Sequence, residues 1–80
     1  KLQMAGISSG YDECHILGDI NSVEFLACYG KNGYLIAVDS VNQSKKFMLF
    51  KRALSNGFKL EMGLIKNENF QPESIFSGSN

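Results

Sequence analysis

Residues 23–41 read VEFLACYGKNGYLIAVDSV, and this stretch decides the fold. Val23, Phe25, Ala27 and Tyr29 alternate with Glu24, Leu26 and Cys28, the period-two pattern of a strand. Gly30-Lys31-Asn32-Gly33 interrupts it. Asn-Gly tolerates the positive φ at both central residues of a type I′ turn, so the chain reverses there into a hairpin. The return strand runs from Tyr34 to Val41. Simple alternation places Tyr34, Ile36, Val38 and Ser40 on one face and Leu35, Ala37, Asp39 and Val41 on the other. Both faces of the hairpin are rich in apolar residues. A sheet with one face in water needs only one such face, so a second covering body is expected.

Downstream the period changes from two to 3.6. Phe47, Phe50 and Leu54 lie at i, i+3 and i+7, with Met48 and Leu49 widening the stripe, and predict a helix over 45–56. Asn42 and Ser44 are its N-cap candidates, and Gly57 suits the left-handed position that ends it. Lys45, Lys46, Lys51 and Arg52 fall mostly on the polar side. Phe58 and Leu60 are expected to pack back on the helix, and a short helical turn is expected around Glu61 to Ile65. In the polar remainder Phe70, Ile75 and Phe76 are the anchors, and residues 77–80 are expected to fray. Upstream, Leu2–Ile7 and Asp12–Asp19 read as two further strands separated by Ser8-Ser9-Gly10. The expected architecture is α+β: an antiparallel sheet of about four to five strands, covered on one face by one main helix and a short C-terminal helical turn. Residues 1–76 form one domain.

The totals narrow the function classes. An 80-residue chain with 44% hydrophobic residues and nine aromatics supports one modest core, because a domain this small buries only roughly 60% of its unfolded surface. Eight basic residues balance eight acidic ones. A neutral chain has no net field for nucleic acid or for an anionic membrane surface, and no apolar run approaches the roughly 18 residues of a membrane span. Cys14 and Cys28 sit in apolar strand segments and read as buried free thiols of a reducing compartment, with a single disulfide as the alternative. His15 is beside Cys14, and strand neighbours point to opposite faces, so the two are poorly placed to share a metal.

No glycine-rich phosphate loop, nucleophile elbow or metal-binding signature occurs. His15 reads as an ordinary strand histidine, and Asp12 and Glu13 as a solvated pair at a turn. Asp39 stands inside an apolar strand; it either bonds backbone, caps the following helix, or meets a neighbouring domain. Asn42-Gln43-Ser44 has the N-glycosylation pattern and reads as a helix cap. Lys45 and Lys46 at a helix N-terminus run against the macrodipole. They are either simply solvated or form a docking patch for an acidic partner.

Taken in order, these segments resemble a family. Lys1-Leu-Gln-Met-Ala-Gly-Ile7, the Gly18-Asp19 strand end, Gly33-Tyr-Leu-Ile-Ala-Val-Asp-Ser-Val-Asn42, Phe47-Met48 with Lys51-Arg52-Ala-Leu54, and the stretch after Gly57 are similar to the C-terminal domain of flavin-dependent, NAD(P)H-using ferredoxin and rubredoxin reductases. The third segment resembles that family's DGRLVAVDAVN. Lys46 departs from the pattern where Asp is common, and Ile65-Lys66 replaces Ala-Asp. The resemblance implies a longer cytoplasmic parent that holds FAD and NAD(P)H in other domains and passes electrons to a small iron–sulfur protein of the ferredoxin type or to rubredoxin. It implies that this module packs on the parent's own flavin domain, helps form the acceptor-docking surface, and binds no cofactor and catalyses nothing alone. Asn42, Gln43, Lys45 and Lys46 are the partner-facing candidates it points to. The alternative is a stand-alone α+β binding or dimerisation module, with a homodimer forming through the exposed sheet face.

Overall fold

The structure is a computed structural model that describes residues 1–76. Four strands form one antiparallel sheet in the order β1-β4-β3-β2: β1 (Leu2–Gly6), β2 (Glu13–Gly18), β3 (Phe25–Lys31) and β4 (Tyr34–Val41). Helix α1 (Ser44–Ser55), a single turn α2 (Met62–Ile65) and a 3-10 segment (Pro72–Phe76) follow. The α+β architecture expected from the sequence is therefore the one observed.

The β3–β4 turn has Asn32 at φ 53° and Gly33 at φ 87°, as a type I′ turn requires. The carboxylate of Asp12 accepts the Asn32 amide at 3.0 Å and ties this turn to the loop before β2. Simple alternation fails at one point on β4. Tyr29 pairs with Ala37 but Gly30 pairs with Leu35, which leaves Ile36 as an extra residue, a β-bulge. Beyond the bulge the faces exchange. Leu35 joins Val38 and Ser40 on the helix side and is buried there, although the period-two reading groups it with Ala37 and Asp39.

The outer edge of β4 is shared by two segments. β1 pairs with Ala37–Val41, while the chain after α1 takes the other end through Leu35 N–H to Leu60 O and Met62 N–H to Gly33 O, both 2.8 Å. The handover lies at the bulge, and Gly6 closes β1 there at φ 77°. A Cβ on Gly6 would lie 2.2 Å from the carbonyl oxygen of Ile36.

Helix α1 buries Phe47, Phe50 and Ala53 against Leu26, Cys28, Leu35 and Val38 of the sheet. Leu60, Met62 and Ile65 complete the core, with Ala5, Leu17, Leu54, Phe70 and Ile75 packed around it. Two sequence expectations change. Met48 does not join the stripe but is half exposed on the outer side of α1. Neither Asn42 nor Ser44 caps the helix; Gln43 occupies the N-cap without a side-chain bond, because Asn42 and Ser44 spend their side chains on β1 and the loop before β3. The C-terminus matches expectation. Gly57 N–H bonds Leu54 O at 3.2 Å and Phe58 N–H bonds Ala53 O at 2.9 Å, the paired bonds of a Schellman motif. Phe58 itself stays half exposed and stacks on Phe76 at 5.8 Å. The expected fraying of 77–80 lies outside the described residues.

Two substitutions test this arrangement. Gly6→Ala, which forces both a positive φ and a backbone clash, is expected to lower stability by about 2 kcal/mol or more. Phe50→Ala, which opens a cavity in the centre of the core, is expected to cost about 3–5 kcal/mol. Urea denaturation monitored by circular dichroism measures both.

Candidate functional site

The strand register sorts the sheet's side chains into two sets. One set is the core just described. The other contains Leu2, Met4 and Gly6 from β1, Val41, Asp39 and Ala37 from β4, Phe25, Ala27 and Tyr29 from β3, and Gly18, Ile16 and Cys14 from β2. No described helix packs on this second face. Leu2 and Met4 are 64% and 68% exposed, and Val23, Ile20, Ile7 and Tyr11 extend the apolar surface into the surrounding loops. The two-sided hairpin pattern is thus realised as a sheet whose second apolar face is exposed.

A small polar cluster lies within this face. The Tyr29 hydroxyl donates to Asp39 Oδ2 at 3.0 Å, and Tyr11 stands edge-on to the Tyr29 ring at 5.0 Å. Burial, the hydrogen bond and the Asp39 charge together push the Tyr29 phenol up to about 12. Asp39 thus neither caps α1 nor bonds backbone; its partner is a cross-strand phenol. Cys14 sits beside Tyr29 in the ladder and is exposed, contrary to the buried thiol expected; partial desolvation and then the Asp39 charge raise its pKa. Cys28 is fully buried on the opposite face, where burial, followed by the coulombic effect of Cys14, pushes it up to about 12. Both thiols are free, and their opposite faces exclude a disulfide between them.

The second feature is the corner where β4 enters α1. The four residues singled out from the sequence do different things there. Asn42 adopts φ 54°, donates through Nδ2 to Val23 O at 2.9 Å and accepts from the Lys1 nitrogen, so it pins the corner together. Gln43 and Lys46 line a cleft of about 260 Å³ with Leu17, Leu26, Glu68, Phe70 and Pro72. Lys45 is exposed beside them. The first turn of α1 has no acidic residue and no side-chain cap. The uncapped N-terminus of α1 and two lysines set positive charge at this corner, beside the Glu68 that lines the same cleft. The structure brings Gln43 and Lys46 together, leaves Lys45 in solvent and gives Asn42 a structural task.

Other polar residues have structural partners. Glu13 pairs with Lys66 at 2.7 Å across the sheet end. Among the described residues no cluster of His, Cys, Asp and Glu could hold a metal ion. Among the described residues no helix is long and apolar enough to cross a membrane.

Comparison with known proteins matches residues 1–74 to a family model described as reductase C-terminal. The chain belongs to this reductase C-terminal family. It is 34% identical over 64 residues to a ferredoxin–NAD(P)(+) reductase of Sphingomonas sp, covering 80% of this chain and 16% of the relative. It is 27% identical over 78 residues to putidaredoxin reductase of Pseudomonas putida, covering 98% and 18%. Among solved structures it superposes on the reductase in a covalent putidaredoxin reductase–putidaredoxin complex with a TM-score of 0.82, at 28% identity over 92% of this chain and 18% of that one. A ferredoxin reductase from Rhodopseudomonas palustris superposes with a TM-score of 0.80, at 25% identity over 91% and 18%. The chain spans less than a fifth of the length of these relatives.

The Asp39 cluster and the two thiols carry a prediction. A thiol reagent at pH 8 should titrate one cysteine, Cys14, in the native chain and two after unfolding. The native state also holds the protons of Cys28 and Tyr29 more tightly than the unfolded state does. Stability should therefore fall as pH rises from about 9 to about 12. Tyr29→Phe should remove the tyrosine's share of that fall, which lies between about 10 and 12, and leave the share of Cys28 in place. Urea midpoints measured across this range check both statements.

Proposed function

We propose that this domain is the C-terminal module of a longer flavoprotein that takes electrons from NAD(P)H, carries them on FAD and delivers them to a small iron–sulfur protein of the ferredoxin type or to rubredoxin. The observation that carries this reading is the match across residues 1–74 together with the superposition on a reductase seen in complex with putidaredoxin. The residues present do not fit either cofactor themselves. The described sheet is wholly antiparallel, and no strand–glycine turn–helix unit cradles a pyrophosphate in it. In this reading FAD and NAD(P)H are held by the remainder of the longer chain, and this module supports that remainder.

The two surfaces divide the work. The open sheet face seats on the flavin domain, which supplies the second cover that its apolar side chains require. The corner of α1, with Gln43, Lys45 and Lys46 on a frame held by Asn42, lies on the side where the electron acceptor docks. Its positive potential favours an acidic partner and increases the rate of encounter.

The full-length protein, purified with its flavin, should reduce a ferredoxin-type iron–sulfur protein or rubredoxin at the expense of NADH or NADPH. A colourless protein with no such activity would overturn the reading. Lys45→Glu with Lys46→Glu should raise the KM for the iron–sulfur protein about tenfold at low salt, keep kcat within about twofold and flatten the salt dependence. An unchanged KM with an unchanged salt slope would remove the corner from the docking surface.

A further inference from the structure

Asp39 is the only acidic residue that the strand register places on the open sheet face, and Lys31, two residues past Tyr29 at the end of β3, is the only base it places there. Its neighbours across the ladder are Met4 on one side and Ala27 on the other. Its Oδ2 accepts the Tyr29 phenol, and no other partner reaches the carboxylate among the described residues. Lys31, at the hairpin end of β3, lies beside Gly10 and forms no ion pair with it.

In the uncovered domain water solvates the remaining lone pairs of Asp39. A body laid on this face would exclude that water and enclose the carboxylate among methionine, alanine and aromatic side chains. One phenol hydrogen bond does not offset the desolvation of a carboxylate, and a charge enclosed in this way is paired or gives up its ionisation. Lys31, the one base of the face, stands four residues along β3 from Ala27, the residue opposite Asp39, a span of about 13 Å that a lysine side chain does not bridge, so the partner charge comes from the covering body. The relatives' length, of which this chain spans less than a fifth, makes the rest of the same polypeptide the occupant.

We infer that the body seated on the open face presents a basic side chain, a guanidinium or an ammonium, that pairs with Asp39 and fixes the register of docking. This rests on the reading that a neighbouring domain covers the face. Tyr29 is the positioning residue: its hydroxyl holds one carboxylate oxygen, Oδ2, and leaves the other for the incoming cation.

The three methionines report separately on the idea in the full-length protein. Met4 lies on the open face, Met48 on the outer side of α1 and Met62 in the core. Hydrogen peroxide converts each exposed thioether to its sulfoxide, and peptide mass spectrometry gives each rate relative to its rate in urea. Met4 should be at least tenfold slower in the native full-length protein than in urea. Asp39→Asn should speed Met4 oxidation about tenfold or more, and Asp39→Lys further, with Met62 still protected. If Asp39→Asn leaves Met4 as shielded as before, a neutral side chain suffices and no cation faces Asp39, although the face is covered. If Met4 is unshielded in the unsubstituted protein, the face is uncovered and the domain-docking reading fails first. Should Asp39→Lys also expose Met62, the isosteric Asn variant alone decides.

Discussion

One α-helix cannot hide a four-stranded sheet. Strands spaced about 4.8 Å apart give a sheet about 15 Å across, whereas a helix with its side chains covers about 10 Å. The described chain answers this on one side only. Phe47, Phe50 and Ala53 of α1 cover the middle of the sheet, and Leu60, Met62, Ile65, Phe70 and Ile75 pack around them from the segments that follow. Every described element after β4 contributes to that side. The opposite face, apolar by strand alternation, is left uncovered by the described residues.

The bulge at Ile36 makes the covered side work. It rotates the start of β4 so that Leu35 meets Leu60 and Met62 in the core, and it marks the point where β1 gives way to the Leu60–Met62 segment along the same edge. Gly6 fits this junction because no side chain can stand between its backbone and Ile36. The second face shows the opposite economy. Apart from Lys31 at its hairpin end it carries little charge, and its central polar groups are Tyr29 and Asp39, which are bonded to each other across two strands. A phenol and a carboxylate so placed are costly to bury without a further partner, which gives the face a preferred mate as well as an apolar area.

Much of this was legible in the residues. The period-two runs, Asn32-Gly33, the 3.6 stripe of Phe47, Phe50 and Leu54, and Gly57 are local signals, and each strand and helix formed where they placed it. The two-sided apolar hairpin pointed to a missing cover, and the order of motifs pointed to the reductase C-terminal family. The site was less legible. Asn42, Gln43, Lys45 and Lys46 are consecutive enough to look like one patch. Yet Asn42 spends its side chain on Val23 and Lys1, residues 19 and 41 positions away. The Tyr29–Asp39 bond, the Tyr11 contact and the Asp12 latch on Asn32 were missed for the same reason: each depends on register, which no single strand contains.

The sequence by itself determined the elements, the hairpin, the helix boundaries to within a residue or so, and the two-faced character of the sheet. These rest on backbone preference and on the alternation of apolar side chains, and both act over a few residues. Tertiary structure alone decided which face α1 would take, where β4 would bulge, that Cys14 would lie in the open and Cys28 in the core, and that Asp39 would find a phenol rather than a helix end. Those outcomes depend on which strands lie side by side and on the volume that the large core residues must fill. They are properties of the packed sheet, and no window of the chain holds them.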